Sequence, residues 1–408
     1  MMRRPKALTA ISLFSGAGGL DYGFEAAGFE TRVALEMDRN ACTTLRANRP
    51  EWAVIQDDIT EVGSDAILRA GRLKRGEADV LFGGPPCQPF SKSGYWASGD
   101  TARLADPRAR TLDEYLRVVE DTLPKTFLLE NVSGMAYSGK EEGLQLLLSR
   151  IDDINRRQGT KYSPVFQVLR AADYGVPQNR ERFILVAARE GQVLSFPSPT
   201  HFAVEGQTEI LFGDPYITAW DAIGDLPEPT EDLHVPGKWG DLLPSIPEGE
   251  NYLFHTERGA GQPLFGWRRR YWSFLLKLSK RLPSWTLQAQ PGPAIGPFHW
   301  NNRRLSAREL CRLQTFPDDV HIKGSRTSVQ RQVGNAVPSL LGEVLARAIR
   351  AQLLATPTDT KLKLMPKRLG PIPPAERPRP VPRKYLHLRG DHEPHPGTGK
   401  GYRATGQH

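Results

Sequence analysis

Strand-like and helix-like segments alternate through the first half of this chain, and that alternation constrains the fold more than any other feature. Short β-rich runs occur at Thr9–Phe14, Thr31–Leu35, Ala53–Ile55, Val80–Phe82, Thr126–Leu129, Val165–Leu169 and Phe183–Ala188. Helical spacing lies between them, as in the stripe Leu112, Leu116, Val119 and Leu123. Repeated strand–helix units bury their apolar faces as a mostly parallel sheet with helices on both sides, an α/β fold of Rossmann-like type. After Arg189 the alternation stops, and Pro, Gly and turn signals crowd together from Pro197 to Pro247. The pattern predicts a first domain over 1–189, a smaller irregular domain over 190–322, and a return segment over 323–356.

Two helix signals follow, one near the end of the second domain and one in the return. Ser306-Ala307-Arg308-Glu309 is a capping-box pattern opening a short helix that Pro317 stops. An amphipathic stretch from Ser339 to about Leu354 places Leu341, Leu345, Ala348 and Ile349 near one face, which needs a partner surface in the first domain. From Pro357 to His408 the chain is Pro-rich and basic, with little apolar content, and is expected to be a disordered tail. That tail holds eleven of the 54 Lys and Arg against four of the 46 acids, leaving 43 against 42 elsewhere. The overall charge of +8 is therefore weak evidence for a nucleic-acid groove in the folded part.

Cys42, Cys87 and Cys311 are widely separated and form neither a disulfide framework nor a metal-binding spacing. No metal site is expected, and Asp391-His392-Glu393-Pro394-His395 lies in the tail without fixed geometry. The start imitates a signal peptide only faintly, because Thr9 and Ser12 interrupt its apolar stretch. With no run near the ~20 apolar residues of a membrane span, a cytoplasmic protein is the expectation.

Candidate ligand groups follow the strands. Phe14-Ser15-Gly16-Ala17-Gly18-Gly19-Leu20-Asp21 puts glycines between a strand and a helix, where backbone can approach a ligand. Glu36 ends the second run, placed to accept ribose hydroxyls, and Asp58 follows the third, placed to accept from an adenine amino group. A nicotinamide-binding dehydrogenase would show similar pieces. The detail favouring S-adenosylmethionine is Asp21, which stands where a dinucleotide fingerprint has its third glycine. After the fourth run comes Gly83-Gly84-Pro85-Pro86-Cys87-Gln88-Pro89-Phe90-Ser91. Cys42 and Cys311 read as small buried hydrophobes. Cys87 instead sits at the ligand edge, in a loop whose prolines lower the entropy cost of holding one sulfur in one place. Glu130-Asn131-Val132 and Gln178-Asn179-Arg180-Glu181-Arg182 flank later strands and converge on the same edge.

In this order the motifs resemble those of the DNA (cytosine-5) methyltransferase family: Phe14–Gly19, Glu36–Asp38, Asp58-Ile59, Pro86-Cys87-Gln88, Glu130-Asn131-Val132, Gln178-x-Arg180-x-Arg182, Arg304–Pro317 and Gln332-Val333-Gly334-Asn335-Ala336-Val337-Pro338. The resemblance implies a catalytic domain with a smaller target-recognition domain. It further implies transfer of a methyl group from S-adenosylmethionine to carbon 5 of a cytosine flipped out of double-stranded DNA. Phe14, Gly16, Gly18, Gly19, Glu36, Met37, Asp58, Ile59, Pro85 and Asn335 are the implied cofactor residues. Met37 departs from the frequent aromatic residue, and its thioether face can cover adenine instead. Cys87 is the implied nucleophile, adding to carbon 6 so that carbon 5 becomes enamine-like. Glu130 would donate to or protonate ring nitrogen 3, which requires a raised pKa in a dry pocket. Arg182 would meet the base's carbonyl oxygen with Arg180 in support, and Gln88, Ser91 and Gln178 would face DNA.

Residues 190–302 carry no motif with a readable mechanism, as a variable recognition region would. Their densest cue is Phe265-Gly266-Trp267-Arg268-Arg269-Arg270-Tyr271-Trp272, whose arginines suit phosphate and base contact. Trp272, Leu275, Leu276 and Ser279 also follow helical spacing, with Trp272 and Leu276 inward and Lys277, Lys280 and Arg281 outward. The basic tail fits a non-specific DNA arm and a passive extension equally. A monomer is expected, alongside a separately acting restriction endonuclease. The alternatives are a tRNA-methylating relative, a non-catalytic DNA-binding relative and a nicotinamide oxidoreductase.

Overall fold

The computed structural model describes residues 7–86, 110–136, 141–203, 213–267 and 271–390. The sheet strands fall where the alternation predicts them: β1 (Leu8–Leu13), β2 (Phe29–Glu36), β3 (Ala53–Gln56), β4 (Val80–Gly83), β5 (Thr126–Val132), β6 (Val165–Arg170) and, after a two-residue β7 (Gln178–Asn179), β8 (Glu181–Ala188). Their order is β3-β2-β1-β4-β5-β8-β6. All neighbours run parallel except β8, which is antiparallel to β5 and β6. The near-continuous apolar runs Ala10–Leu13, Val80–Phe82 and Phe127–Leu129 are what a sheet buried on both faces requires.

Helices α1 (Gly19–Ala26), α2 (Arg39–Asn48), α3 (Ser64–Gly71), α4 (Arg110–Thr122) and α5 (Glu141–Gln158) follow the strands. One face of the sheet packs on Ile67 of α3, Leu116 and Val119 of α4, and Ile151 of α5. The other packs on Leu20 and Phe24 of α1 and on Leu341, Leu345 and Ile349 of the last long helix. Between them in the chain lie α6 (Ala219–Ile223), α7 (Ala307–Leu313), α8 (Arg326–Asn335) and that last helix, α9 (Ser339–Gln352). The last helix, α9, packs against α1. The capping box is also present: the Ser306 hydroxyl accepts from the Glu309 amide at 3.2 Å, and Glu309 Oε2 from the Ser306 amide at 2.7 Å.

The segment after β8 uses short pieces: β9 (His201–Phe202) with β10 (Asp214–Pro215), β11 (Ser284–Trp285) with β7, and isolated 3₁₀ turns. Leu242, Leu243, Ile246, Tyr252, Leu275 and Phe298 form its own core. The helix expected through Trp272–Ser279 does not form. The chain instead bridges Phe274 to Ile295 and Lys277 to Phe298, so four spaced residues mimic a period without making one. Leu276 is buried as expected, but Trp272 is 50% exposed, while Lys277 and Lys280 turn inward. Buried amines need partners: Lys280 Nζ reaches Glu248 at 2.8 Å, and Lys277 Nζ reaches Asn302 at 2.6 Å. Burial lowers the Lys277 pKa to about 8.

The expected disorder of the tail is corrected over Pro357–Gly390, which lies across the body of the protein. Leu362, Leu364 and Met365 pack on the core beside α9, and Tyr385 is buried in the core of the 235–298 region. Isolated apolar residues anchor a Pro-rich segment here, so no periodicity advertises the packing. Among the described residues, no helix is long and apolar enough to cross a membrane.

Candidate active site

The sheet order reverses between β1 and β4, where Leu13 and Gly83 lie side by side at the carboxyl ends. Such switch points open the crevice in which α/β folds bind ligands. The loop after β1 turns sharply, with positive φ at Phe14 (54°), Gly16 (55°) and Gly18 (87°). A Cβ on Gly16 would meet nothing within 4 Å, so this backbone faces open space. A Cβ on Gly19 would strike the carbonyl oxygen of Val337, so the segment after α8 seats directly on the loop. Asn335, the exposed last residue of α8, is thereby brought near it.

Glu36 holds the loop from below. Its Oε2 accepts from the Gly16 amide and its Oε1 from the Asp38 amide, both at 2.8 Å. Burial pushes its carboxyl above the ordinary range, against these amide bonds. Lone pairs remain on both oxygens for a diol. Met37 beside it is 67% exposed, a bare apolar face at the crevice. Asp58 is half-buried, and its Oδ1 accepts from the amide and hydroxyl of Thr60, each at 3.0 Å. Ile59 is buried in the sheet's core, and Pro85 is buried at the end of the β4 loop. Open glycine backbone, a diol-accepting carboxylate and an apolar face suit an adenosine-bearing ligand.

The second group is built around Glu130 of β5, whose carboxyl is almost wholly enclosed. Arg182 Nε contacts its Oε1 at 2.7 Å across the β5–β8 pairing that sets Val132 opposite Arg182. Burial raises the Glu130 pKa, with Arg182 and then Arg180 pulling it down. A Cβ on Gly84 would stand 2.5 Å from Glu130 Oε2. The backbone at Gly84 therefore passes directly over this carboxyl, and any side chain there would displace it. The Asn131 amide reaches the Pro85 carbonyl at 3.4 Å and ties the same loop down. Cys87, Gln88 and Ser91 lie outside the described residues, as do Arg268, Arg269 and Arg270.

Two expectations change. Arg180 is fully buried and spends its guanidinium on the carbonyls of Gly334 (2.8 Å) and Leu287 (3.3 Å), bolting β8 to α8 and to the 284–288 segment. Gln178, expected to face DNA, is wholly buried. Its amide nitrogen donates to Leu313 O and Gln314 Oε1, both at 3.2 Å, and its oxygen accepts from the Leu287 amide at 3.2 Å. An amide so committed has nothing left for a nucleic acid.

Sequence reasoning missed the segment these residues hold. β11 pairs with β7, and the Thr286 hydroxyl donates to Asn179 O at 2.6 Å. Ser284 and Leu287 face inward, while Trp285 is 52% exposed, along with Thr286 and Gln288. A large exposed aromatic is therefore held by backbone pairing opposite Asn179, three residues before Arg182 in the chain. A two-residue strand has no periodic signal, so only Trp in a turn-rich stretch hinted at it.

A switch-point crevice suited to adenosine, beside a buried Glu–Arg pair under the Gly84 backbone, defines a Rossmann-like methyltransferase. The chain belongs to the family described as C-5 cytosine-specific DNA methylase, whose profile matches residues 8–351. It is a DNA cytosine-5 methyltransferase, and the family's reaction takes its methyl group from S-adenosylmethionine. Type II methyltransferase M.SacI of Streptomyces achromogenes is 41% identical over 371 residues, covering 85% of this chain and 93% of that protein. Type II methyltransferase M1.HphI of Haemophilus parahaemolyticus is 35% identical, covering 84% and 87%. The crystal structure of Spodoptera frugiperda DNMT2 shares the fold at TM-score 0.58 and 16% identity, covering 84% of this chain and 99% of that one.

Proposed function

We propose that the protein methylates carbon 5 of cytosine within one short double-stranded DNA sequence, as the modification enzyme of a Type II restriction–modification system. The observation that carries this reading is the enclosed Glu130 carboxyl, paired with Arg182 and roofed by the Gly84 backbone two prolines before Cys87. In this reading Cys87 adds its sulfur to carbon 6 of a flipped cytosine. Glu130, raised by burial, holds a proton at ring nitrogen 3 and so draws electron density from carbon 6. Arg182 orients Glu130 and offers its remaining donors to the base's carbonyl oxygen, while Arg180 fixes the strand beneath. S-adenosylmethionine, when bound, supplies the electrophilic methyl group. Phe14, Gly16, Gly18 and Gly19 would cradle it, with Glu36 at the ribose, Met37 on adenine, Asp58 and Ile59 at the adenine edge, and Pro85 and Asn335 at the sides. After transfer the carbon 5 proton leaves to a base and the thiolate is released.

Gln88, Ser91 and Arg268–Arg270 are proposed DNA contacts, joined by the exposed edge Trp285–Gln288. The division into 1–189, 190–322 and 323–356 belongs to the same reading. So do action as a monomer in the cytoplasm and a cognate endonuclease acting separately; the Type II names of M.SacI and M1.HphI support that last point.

The test is bisulfite sequencing of host DNA after expression of the wild type and, separately, of Cys87→Ser. Methylation at one recurring short sequence, present with the wild type alone, is expected. Unmethylated DNA with a folded wild type, or substantial methylation by Cys87→Ser, overturns the reading.

A further inference from the structure

The family profile ends at residue 351, yet the chain beyond it runs from one lobe to the other along a line of defined contacts. On the sheet-bearing lobe, Glu343 of α9 is fully buried and accepts from the amides of Lys363 at 2.8 Å and Leu364 at 2.9 Å. Arg347, bonded to the same carboxylate, donates to the carbonyls of Asp359 and Lys361. Leu362, Leu364 and Met365 complete this anchor in the core beneath α9.

Past the anchor the segment crosses. Arg368 donates to the carbonyls of Tyr216 (2.8 Å) and Pro215 and to Asp221 Oδ2 (3.2 Å), and the Leu369 amide donates to Asp221 Oδ1 (3.1 Å). Asp221 is itself buried, in the capping box of α6. Farther along, Pro374 O accepts from Lys280 and the Arg379 amide donates to Pro244 O. Tyr385 is buried with its ring stacked on Trp239 at 5.8 Å, and its hydroxyl donates to Lys238 O at 2.5 Å. Lys384 pairs with Asp241.

The core that receives Tyr385 draws its other buried residues from 235–298 alone, with none from the sheet. A separate cluster joins the lobes at the other attachment, through Tyr22, Trp52, Leu287 and Phe316. The β7–β11 pairing and the bonds of Arg180 and Gln178 to Leu287 join them as well, and an attachment at Trp239, outside all of these, further restricts rotation of one lobe against the other. Arg368 and Lys384, two of the segment's cations, face protein carboxylates here, which is not how an arm that tracks phosphates would use them.

We infer that residues 357–390 are a positioning strap for the methyl-transfer reaction: by tying α9 to the Asp221 and Trp239 regions they set the angle at which the recognition lobe presents DNA to the Glu130 site. The inference rests on the DNA-methylating reading above. Misplacing a bound substrate by about 1 Å can cost a hundredfold in rate, so a loosened lobe should be visible in kinetics.

The test uses the full chain carrying Arg368→Ala and, separately, Tyr385→Ala, assayed on DNA containing the methylated sequence. The kcat on DNA is expected to fall about tenfold. Affinity for S-adenosylmethionine, held by the other lobe, and the salt dependence of DNA binding should stay unchanged. Arg368→Lys, which keeps a cation near Asp221, should recover part of the loss. Unchanged kcat in both variants overturns the strap. So does a salt slope reduced by about one unit per removed cation, the mark of a phosphate-binding arm. A parallel loss of S-adenosylmethionine affinity overturns it too, because that reports general unfolding. If the wild type methylates no DNA, the reading above fails first; small-angle scattering then judges the strap alone. A double variant, Arg368→Ala with Tyr385→Ala, should expand the particle, and an unchanged radius of gyration sinks the strap independently of activity.

Discussion

Glu130 and Asp21 are both buried carboxyls, and their surroundings give them different work. Glu130 has Arg182 on one oxygen and the Gly84 backbone over the other. Replacing Gly84 with alanine should push the carboxyl or the Cys87 loop aside. We expect kcat to fall by about a hundredfold while S-adenosylmethionine still binds, measured by single-turnover transfer and calorimetry. Because burial raises Glu130, its protonated form is the one lost as pH rises above the ordinary carboxyl range. The methylation rate should decline on that alkaline side. A Glu130→Gln enzyme should be slower throughout and lack that decline. Asp21 is wholly buried in α1, and burial raises its pKa from 3.8 to about 7, with the Ser12 hydroxyl offsetting only part. The native state therefore holds this proton where the unfolded chain has released it. Its contribution is full below 3.8 and is lost as pH rises through about 7, by up to about 4 kcal/mol. Asp21→Asn should flatten this slope in urea titrations between pH 5 and 8; an unaltered slope would contradict the assignment.

Secondary-structure pieces differ in how visibly they are written. The capping box of α7 was legible because its two residues sit three apart before an apolar run. Ser306→Ala should cost about 1 kcal/mol of unfolding free energy in chemical denaturation. The sheet strands were legible for a similar reason: burial on both faces demands continuous apolar runs, and the helices between them punctuate those runs. β11 was invisible, since a two-residue strand takes its place from Gln178 and Asn179, more than a hundred positions earlier. The same distance misled the reading of Gln178, whose neighbours Leu287, Leu313 and Gln314 are close only after folding. Local motifs show where chemistry resides, while side-chain direction depends on contacts that no local pattern contains. Trp285 follows from β11 rather than from any motif. Trp285→Ala should weaken DNA binding by about 1–3 kcal/mol with the fold intact, by fluorescence anisotropy.

The described residues form separate cores of unequal kind. The sheet lobe carries every proposed cofactor group and a core on both faces of the sheet, closed by α9. The segment after β8 has few regular elements and is held by partnered buried amines, stacked rings and the segment from Pro357 to Gly390. S-adenosylmethionine should therefore raise the melting temperature of the sheet lobe more than that of the 235–298 core. Hydrogen exchange resolved by peptide can read the two separately, and equal protection of both would show a single cooperative unit.

The route of that last segment also bears on how specificity could be transplanted. Recognition regions look like exchangeable cassettes, bounded by the end of β8 and the start of α7. Here the cassette has a second, remote piece. Trp239, Asp241 and Pro244 meet Tyr385, Lys384 and Arg379, so the docking face of the donor region is matched to residues beyond α9. A chimaera that imports residues 190–302 alone would inherit a lock without its key, and a portable graft must carry residues 370–390 with it.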